Sequence, residues 1–234
     1  QRLFLVCDGV GGAERGEVAS ALACEAIRTY FDTFLGDADP TADFIQRALR
    51  YTETRFDAYL QAHPEAKGMA TTLTLAYIGR QGITLAHIGD SRIYYIRQGK
   101  ALYRSEDHTL VNQLVQLGRI TPEEARKHPQ RHQITRAIQG SHCPTEAEIV
   151  CWEEVQTGDW LFLCTDGALE QVEEPELLAF FAQAKSPAEI KEQLLERCAE
   201  KNRDNYSFFI IPLVKREGPN RLTQNFLSFF YSFL

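Results

Sequence analysis

The sequence has no excess of basic residues: 25 Lys and Arg face 32 Asp and Glu, which gives a formal net charge of −7 at pH 7. Binding to nucleic acid or to an anionic membrane depends on a basic surface that displaces counterions. The acidic balance, with an isoelectric point of about 5.4, therefore argues against both as the main partner. We expect a protein or a small molecule as the partner instead.

The cysteines lack both the CxxC pairing and the spacing of metal ligands. Most of them lie within apolar segments, so we expect buried, reduced thiols and a cytoplasmic protein. No signal peptide is visible, and because the chain begins at Gln1 rather than Met, we expect further residues upstream. The cysteines are Cys7, Cys24, Cys143, Cys151, Cys164 and Cys198.

The sequence also lacks an apolar run of about 20 residues, the length needed to cross a bilayer. The aromatic-rich segment 222–234 is shorter, and three interpretations of it stay open. It could be a helix docked on the domain's own surface, an anchor for a partner or a membrane surface, or the start of a truncated transmembrane segment. A docked or partner-binding helix is favoured, because so many exposed aromatic rings would form a patch that monomers rarely tolerate.

Hydrophobic periodicity predicts one α+β domain without internal repeats, in a chain of 234 residues that is 44% hydrophobic. Helical patterns are grouped early and late with strand patterns between them, which suggests sheets flanked by helices. The predicted strands are 3–7, 70–78, 82–88, 92–97, 101–103, 147–152, 160–165 and 206–213. The predicted helices are 17–34, 41–62, 109–117, 122–127, 175–183 and 187–200.

Four aspartates lie at the ends of predicted core strands. Asp8, Asp90 and Asp166 each follow an apolar strand, and Asp204 precedes the last one. A carboxylate beside an apolar strand costs desolvation energy unless a partner balances it, and no Lys or Arg stands next to Asp8 or Asp166. A cap or a turn former explains any single one of them more simply. For the set of four, a shared Mg²⁺ or Mn²⁺ is the better explanation, because both ions prefer oxygen ligands.

Short motifs then follow one another along the chain. The first is the run Asp8-Gly9-Val10-Gly11-Gly12, which is followed by the pairs Gly16-Glu17 and Ala19-Ser20. The later motifs are Ala70-Thr71-Thr72, Gly89-Asp90-Ser91-Arg92, Asp107-His108, Ile134-Thr135-Arg136-Ala137-Ile138, Thr165-Asp166-Gly167 and Asp204-Asn205. In this order the set resembles the metal-dependent protein phosphatases of type 2C in their bacterial form. The resemblance covers residues 3 to about 213.

The resemblance implies a serine/threonine protein phosphatase with Asp8, Asp166 and Asp204 at the catalytic core. Asp8 would bridge two Mg²⁺ or Mn²⁺ ions, with the Gly9 carbonyl on one ion and Asp166 and Asp204 on the other. Asp90 would hold a third, weaker ion together with Asp166. A hydroxide bridging the ions would attack the phosphorus while the cations neutralise the phosphoryl oxygens. Phosphorylated proteins would be the substrates of a monomeric enzyme, with the substrate-binding residues left open.

The resemblance also implies a four-layer α/β/β/α sandwich of two antiparallel sheets flanked by helices. The catalytic domain would span 1–214, with a small flap subdomain at about 106–140, and 215–234 would form an aromatic-rich tail. The basic flap residues either suit phosphorylated substrates or form a solvated surface of mixed charge, and both interpretations stay open. They are Arg119, Arg126, Lys127, His128, Arg131, His132 and Arg136. Of these Arg136 is expected to form a structural ion pair, and the nearby His108 to be a structural histidine.

Two departures from the family pattern bear on activity. Val10 stands where many eukaryotic members have His, so no imidazole can protonate the leaving group there. The family's opening strand, which carries Arg and then Asn-Glu-Asp, is missing, so the strand from Leu3 is expected to lack a neighbour. A catalytically weak or silent relative that serves as a scaffold or binds phosphoproteins is therefore the alternative, although the retained acids argue against it. A two-metal nuclease is a third option, which the acidic charge disfavours.

Overall fold

The structure is a computed structural model that describes residues 2–10, 13–201, 204–214 and 231–233. Its helices are α1 (Ala13–Phe34), α2 (Ala42–Ala62), α3 (Leu110–Gln116), α4 (Pro122–Lys127), α5 (Glu174–Gln183) and α6 (Pro187–Lys201). Its strands are β1 (Leu3–Val6), β2 (Gly9–Val10), β3 (Ala70–Thr71), β4 (Leu73–Ile78), β5 (Ile83–Ile88), β6 (Arg92–Arg97), β7 (Lys100–Arg104), β8 (Glu148–Trp152), β9 (Trp160–Cys164), β10 (Tyr206–Pro212) and β11 (Tyr231–Phe233). Two short 3₁₀ turns cover Pro64–Ala66 and Asp166–Leu169.

Two antiparallel sheets form the centre of the protein, as the sequence predicts for an α+β fold. The first has the order β1-β4-β5-β8, and the second has the order β11-β10-β9-β6-β7. The strands β2 and β3 form a small additional pair. The protein is thus a mixed α+β domain with two antiparallel sheets.

Alternation along the strands divides the core into three clusters, because successive side chains of a strand point to opposite faces. Along β9, Leu161 and Leu163 belong to a cluster that also contains Phe4 of β1. Phe162 and Cys164 point the other way and pack with residues of α5 and α6. The third cluster joins α1 and α2 to the outer face of the first sheet. The two strands β4 and β9 are accordingly almost wholly buried.

The strand β1 lies at the edge of the first sheet. It pairs with β4 from Leu3 opposite Tyr77 to Val6 opposite Thr74, and no strand among the described residues pairs with its other side. A groove of about 1000 Å³ runs beside it, lined in part by Leu5 and Phe31. Within the described residues β1 therefore has one neighbouring strand, β4, and the expectation that it lacks a neighbour holds for its other edge only.

Most predicted elements agree with the structure to within one residue, with two exceptions. The first helix begins at Ala13, four residues before its predicted start. The predicted strand 70–78 is divided at Thr72, because Thr72 donates its backbone N–H to the Asp8 carbonyl at 2.8 Å and so leaves the regular ladder. The pair β2–β3 and the 3₁₀ turn at Asp166 were not predicted, since segments this short carry no periodicity.

The prediction of buried cysteines is wrong for two of the six. Cys143 is exposed in the loop after the flap, and Cys151 is exposed on the edge strand β8. The apolar neighbours of Cys151 do not bury it, because alternate positions of an edge strand face the solvent. Cys143 lies in a loop, outside any strand or helix. Cys164 and Cys198 are buried, Cys7 and Cys24 are partly buried, and all six are free thiols.

The aromatic-rich tail is described only at Tyr231–Phe233. This segment is a strand that pairs antiparallel with β10, from Phe208 opposite Tyr231 to Tyr206 opposite Phe233. The helix predicted for 222–234 is therefore wrong at these three positions, and the rest of 215–234 lies outside the described residues. Among the described helices, none combines the length and the apolar character that crossing a membrane requires.

Candidate metal centre

The four strand-end aspartates line a single cleft of about 890 Å³. Asp8, Asp90, Asp166 and Asp204 are all among its lining residues, together with Gly9. The structure thus brings together every residue predicted to hold a metal ion. Three of the carboxylates are partly buried, and Asp204 is exposed.

Antiparallel pairing explains why these residues meet. In the second sheet β9 and β10 are neighbours, so the end of β9 lies beside the start of β10 and brings Asp166 next to Asp204. In the first sheet the ends of β1 and β5 lie on either side of the start of β4, which brings Asp8 and Asp90 together. The two pairs then face each other across the cleft between the ends of the sheets.

Two threonines hold the backbone of Asp8, and a serine contacts one of them. The Asp8 N–H donates to Thr72 Oγ1 at 2.9 Å, and the Thr71 hydroxyl donates to the Asp8 carbonyl at 2.8 Å. Thr72 Oγ1 also lies 2.7 Å from Ser91 Oγ, next to Asp90. These hydroxyls belong to the motifs Ala70-Thr71-Thr72 and Gly89-Asp90-Ser91-Arg92, and the sequence alone assigned them no function. Their position shows that they join the two aspartate-bearing turns of the first sheet.

Two glycines permit close backbone approaches at the site. A Cβ atom on Gly9 would lie 2.0 Å from the Gly16 carbonyl oxygen, so the turn after Asp8 packs directly on α1. A Cβ atom on Gly167 would lie 2.2 Å from the carbonyl oxygen of Asn205. Only glycine fits such contacts, which keep the turn of Asp166 beside that of Asp204.

The arginine nearest to Asp90 is already paired. Arg92 Nε donates to Asp107 Oδ1 at 2.7 Å, and Arg92 Nη2 donates to Asp107 Oδ2 at 2.5 Å. This bidentate geometry is the strong form of an arginine-carboxylate pair. Within the ranges 2–10, 13–201 and 204–214, no Lys or Arg forms an ion pair with any of the four strand-end aspartates. Within these ranges, the four aspartates therefore have no direct ion-pair partner.

Burial and mutual repulsion raise the pKa values of these carboxyl groups. Burial, followed by repulsion from Asp166, Asp204 and Asp90, raises the pKa of Asp8 to about 7. Burial and repulsion from Asp166 and Asp107 raise the pKa of Asp90 to about 7 as well. Burial and Asp204 also raise the pKa of Asp166. Three neighbouring acids thus resist ionisation because each is desolvated and faces like charges.

This donor set fits a divalent cation. The available ligands are carboxylate oxygens and a backbone carbonyl in an open cleft, which suits Mg²⁺ or Mn²⁺ better than zinc. A cation would remove the repulsion that raises the three pKa values, and the open cleft leaves room for water in the remaining coordination positions. The fit rests on the chemistry of these residues and on their burial.

Some of the basic flap residues reach the same cleft. Arg126, Arg131 and His132 line it, and the charge of His132 favours ionisation of Asp166. Arg119, Lys127 and His128 are not among its lining residues. The basic flap residues therefore fall into two groups, those that line the cleft and those that do not.

Two structural expectations about the flap are confirmed. Arg136 pairs with Glu148 at 3.2 Å, although its side chain is 45% exposed rather than enclosed by its apolar neighbours. His108 is buried, and its Nδ1 accepts a hydrogen bond from the backbone N–H of Gly89 at 3.1 Å. Both residues thus stabilise the connection between the flap and the first sheet.

Comparison with known proteins identifies the class and then the family. The chain matches solved structures of bacterial serine/threonine phosphatases over most of its length. The crystal structure of the Mycobacterium tuberculosis phosphatase PstP/Ppp has a TM-score of 0.79 and 34% identity, and the match covers 89% of this chain and 87% of that chain. The family described as "Protein phosphatase 2C" matches residues 1–199, so the chain belongs to the protein phosphatase 2C family.

The curated relatives are also bacterial. The serine/threonine protein phosphatase PstP of Mycobacterium tuberculosis is 38% identical over 181 residues, which is 76% of this chain and 34% of that protein. The chain thus spans about a third of the length of this relative. The serine/threonine phosphatase stp of Listeria innocua is 31% identical over 179 residues, covering 76% of this chain and 70% of that protein. A structure of the PstP catalytic domain, described as a complex with two manganese ions, has a TM-score of 0.75 and 33% identity, covering 89% of this chain and 86% of that chain.

Proposed function

We propose that this protein is a metal-dependent phosphatase that hydrolyses phosphoserine and phosphothreonine in proteins. The observation that carries the proposal is the cluster of four aspartates, without ion-pair partners among the described residues, in one cleft of a protein phosphatase 2C fold. The names of the bacterial relatives, which are serine/threonine phosphatases, support the substrate class.

Asp8 would hold two Mg²⁺ or Mn²⁺ ions. The Gly9 carbonyl would hold one of these ions, and Asp166 and Asp204 would hold the other. Asp90 would hold a third, weaker ion together with Asp166. When bound, such ions activate water and neutralise charge on a phosphoryl group. The two manganese ions in the related PstP structure support the ion type and number.

The other residues of the cleft would position the reactants. Thr71 and Thr72 fix the backbone of Asp8, so its carboxyl group keeps one orientation. Arg131 and His132 would bind the phosphate of the substrate from the flap side, because guanidinium and imidazolium groups pair well with phosphate. Val10 lines the cleft without a titratable group, so it leaves proton transfer to other residues.

We also propose that residues 1–214 form one catalytic domain, a four-layer α/β/β/α sandwich with a flap at about 106–140. The three core clusters support the four layers, since they lie between α1 and α2 and the first sheet, between the sheets, and against α5 and α6. The pairing of Tyr231–Phe233 with β10 supports docking of this segment of the tail on the same domain. A cytoplasmic location is proposed from the six free thiols.

A catalytically silent scaffold remains the second candidate, because β1 lies at the edge of its sheet in the described residues. It would keep the fold and bind phosphoproteins without hydrolysing them. The two candidates differ in one measurable quantity, the metal-dependent release of phosphate.

The test is hydrolysis of p-nitrophenyl phosphate and of a phosphothreonine peptide by the full chain. We expect phosphate release with Mn²⁺, its loss with EDTA, and its loss in Asp166→Asn. Asp43→Asn is the matched control, since Asp43 is an exposed residue of α2 that pairs only with Arg47 among the described residues. If the protein binds Mn²⁺ and the phosphopeptide but releases no phosphate, it is a scaffold and the proposed function is wrong.

A further inference from the structure

His108 connects the turn that carries Asp90 to the segment that leads into the flap. The backbone N–H of Gly89 donates to His108 Nδ1 at 3.1 Å, and the backbone N–H of His108 donates to the Gly89 carbonyl at 2.9 Å. His108 therefore satisfies both polar backbone groups of the residue that precedes Asp90. Gly89 has φ +96°, a conformation that other residues rarely adopt, so this turn depends on its hydrogen bonds for its shape.

The partners of the ring determine which nitrogen carries the proton. Because Nδ1 accepts a hydrogen bond from Gly89, the proton of the neutral ring is on Nε2. The Nε2–H group donates to Glu148 Oε1 at 3.0 Å, and the same carboxylate accepts from Arg136 at 3.2 Å. Burial, followed by the neighbouring His87, lowers the pKa of His108 and so favours the neutral ring. Glu148 thus selects the tautomer that Gly89 requires.

The same cluster does not suit a metal ion. The ligand atoms of His87, His108 and Glu148 lie within 4.8 Å of one another. However, the Nε2 proton of His87 is directed at the Glu106 carbonyl oxygen, 2.9 Å away, and that of His108 is directed at Glu148. The Arg136 guanidinium also lies 3.4 Å from His108 Nε2. A cation bound at these two Nε2 atoms would have to displace both protons and approach a fixed positive charge.

His108 also holds the flap. The backbone N–H of Thr135 donates to the His108 carbonyl at 2.7 Å, at the point where the chain leaves the flap. The isolated bridge between Thr109 and Ile134 closes the flap beside it. One buried residue therefore contacts the Gly89–Asp90 turn through its ring and its backbone N–H, and the end of the flap through its carbonyl.

We propose that His108, oriented by Glu148, is a positioning residue for Asp90 and so for the metal ion that Asp90 holds. The proposal rests on the proposed function, because it takes Asp90 as a metal ligand. Without an acceptor at Nδ1, the buried Gly89 N–H loses its partner, which is costly in the native turn. The turn then relaxes and Asp90 leaves its position in the cleft. Residues that orient metal ligands typically change metal affinity or activity by about 10-fold to 100-fold when they are replaced.

Three substitutions separate the function of Nδ1 from the simple presence of a side chain. His108→Asn places an amide oxygen close to the position of Nδ1 and keeps the acceptor for Gly89. His108→Gln places its polar group toward Glu148 and leaves Gly89 without an acceptor. His108→Leu removes both interactions. His63→Leu is the matched control, because His63 is a half-exposed histidine at the end of α2.

The first readout is hydrogen exchange of the Gly89 amide in the metal-free chain of 234 residues, measured by NMR. We expect exchange to be at least about tenfold faster in His108→Leu and His108→Gln, and near the wild-type rate in His108→Asn and His63→Leu. Unchanged protection of Gly89 in both His108→Leu and His108→Gln would overturn the proposal. This readout does not depend on any bound metal or on catalysis.

The second readout is Mn²⁺ titration, in which calorimetry measures binding and phosphate release measures activity. We expect the Mn²⁺ concentration for half-maximal effect to rise about tenfold in His108→Leu and His108→Gln, and to return toward the wild-type value in His108→Asn. The KM for p-nitrophenyl phosphate should change less than the metal requirement. Equal Mn²⁺ affinity in all folded variants would overturn the proposal. If the wild type releases no phosphate but Mn²⁺ binding still weakens in His108→Leu, the proposed phosphatase function fails and His108 remains supported as a positioning residue.

Discussion

Two kinds of buried aspartate in this protein respond differently to their surroundings. Asp8 is desolvated among other carboxylates, which raises its pKa to about 7. Burial also opposes ionisation of Asp159, but Arg97 Nε lies 2.7 Å from its carboxylate and Tyr95 donates to it, and together they lower its pKa. Asp159 therefore stabilises the fold as an anion, whereas Asp8 destabilises the metal-free fold.

This difference gives opposite predictions for one chemical change. Asp8→Asn removes a repelled charge at nearly constant volume, so the melting temperature of the metal-free protein should rise, by about 2–4 °C for each kcal/mol of repulsion removed. The same variant should lose Mn²⁺ binding and nearly all turnover, while Asp90→Asn should affect the main ion pair less but still slow catalysis. Thermal melts in EDTA and calorimetry with Mn²⁺ measure both effects.

Asp159→Asn is the comparison for this prediction. It breaks a buried ion pair, so we expect a loss of about 3 kcal/mol in the free energy of unfolding and no change in Mn²⁺ affinity. Unchanged divalent-ion binding in Asp8→Asn, or equal melting shifts of the same sign in both variants, would contradict the assignment of Asp8.

Among the elements, the flap is a short structure held by local caps and two bridges. Thr121 and Glu124 form a capping box on α4, which supports a helix of only six residues. Thr109 caps α3, and the bridge between Thr71 and Ile138 fixes the far end of the flap beside β3. These contacts determine which of the flap cations face the cleft.

Because some flap cations face the cleft, we expect their substitution to change the affinity for the substrate. Arg131→Gln removes a cation that lines the cleft. We therefore expect the KM for a phosphothreonine peptide to rise by roughly one to two factors of ten, which corresponds to the loss of a charge-assisted hydrogen bond of about 1.5–3 kcal/mol. Arg119→Gln, on the same flap but outside the cleft lining, should leave KM unchanged. Steady-state kinetics that show the same KM in both variants would remove Arg131 from substrate binding.

For the whole molecule, metal binding and stability should be linked through pH. The pKa values of Asp8 and Asp90 rise from an ordinary value of 3.8 to about 7 in the metal-free fold. Between about pH 4 and about pH 7 the folded state then binds more protons than the unfolded chain, so this contribution to the free energy of unfolding falls as pH rises. Divalent ions bind the ionised carboxylates, so their stabilising effect should increase over the same range.

The measurement is a set of thermal melts between about pH 5 and about pH 8, each with EDTA and with Mn²⁺. The difference between the two melting temperatures should increase as pH rises. Groups that the ion does not contact titrate equally in both samples, so their effect is absent from this difference. The Asp8→Asn variant should show a much smaller dependence on pH. A difference that is constant or narrows with pH would contradict the linkage.

The helices, the strands and the chemistry of the site could be predicted from the sequence alone. Apolar runs and helical spacing are local properties, so the core strands and long helices were predicted to within one residue almost throughout. The four strand-end aspartates were identified because each carboxylate adjoins an apolar strand, and because Asp8 and Asp166 have no neighbouring Lys or Arg. The ordered motifs added the family, which the comparisons confirm.

How those residues are held, and which neighbours share the site, depends on contacts between distant parts of the chain. Thr72 reaches Asp8 across 64 residues of chain, and Gly167 approaches Asn205 across a strand pair, so neither contact leaves a periodic signal in the sequence. The same applies to the acceptor on His108 for Gly89 and to the exposure of Cys151. Each depends on the distance and direction between side chains on different elements, and those quantities exist only once the two sheets have packed.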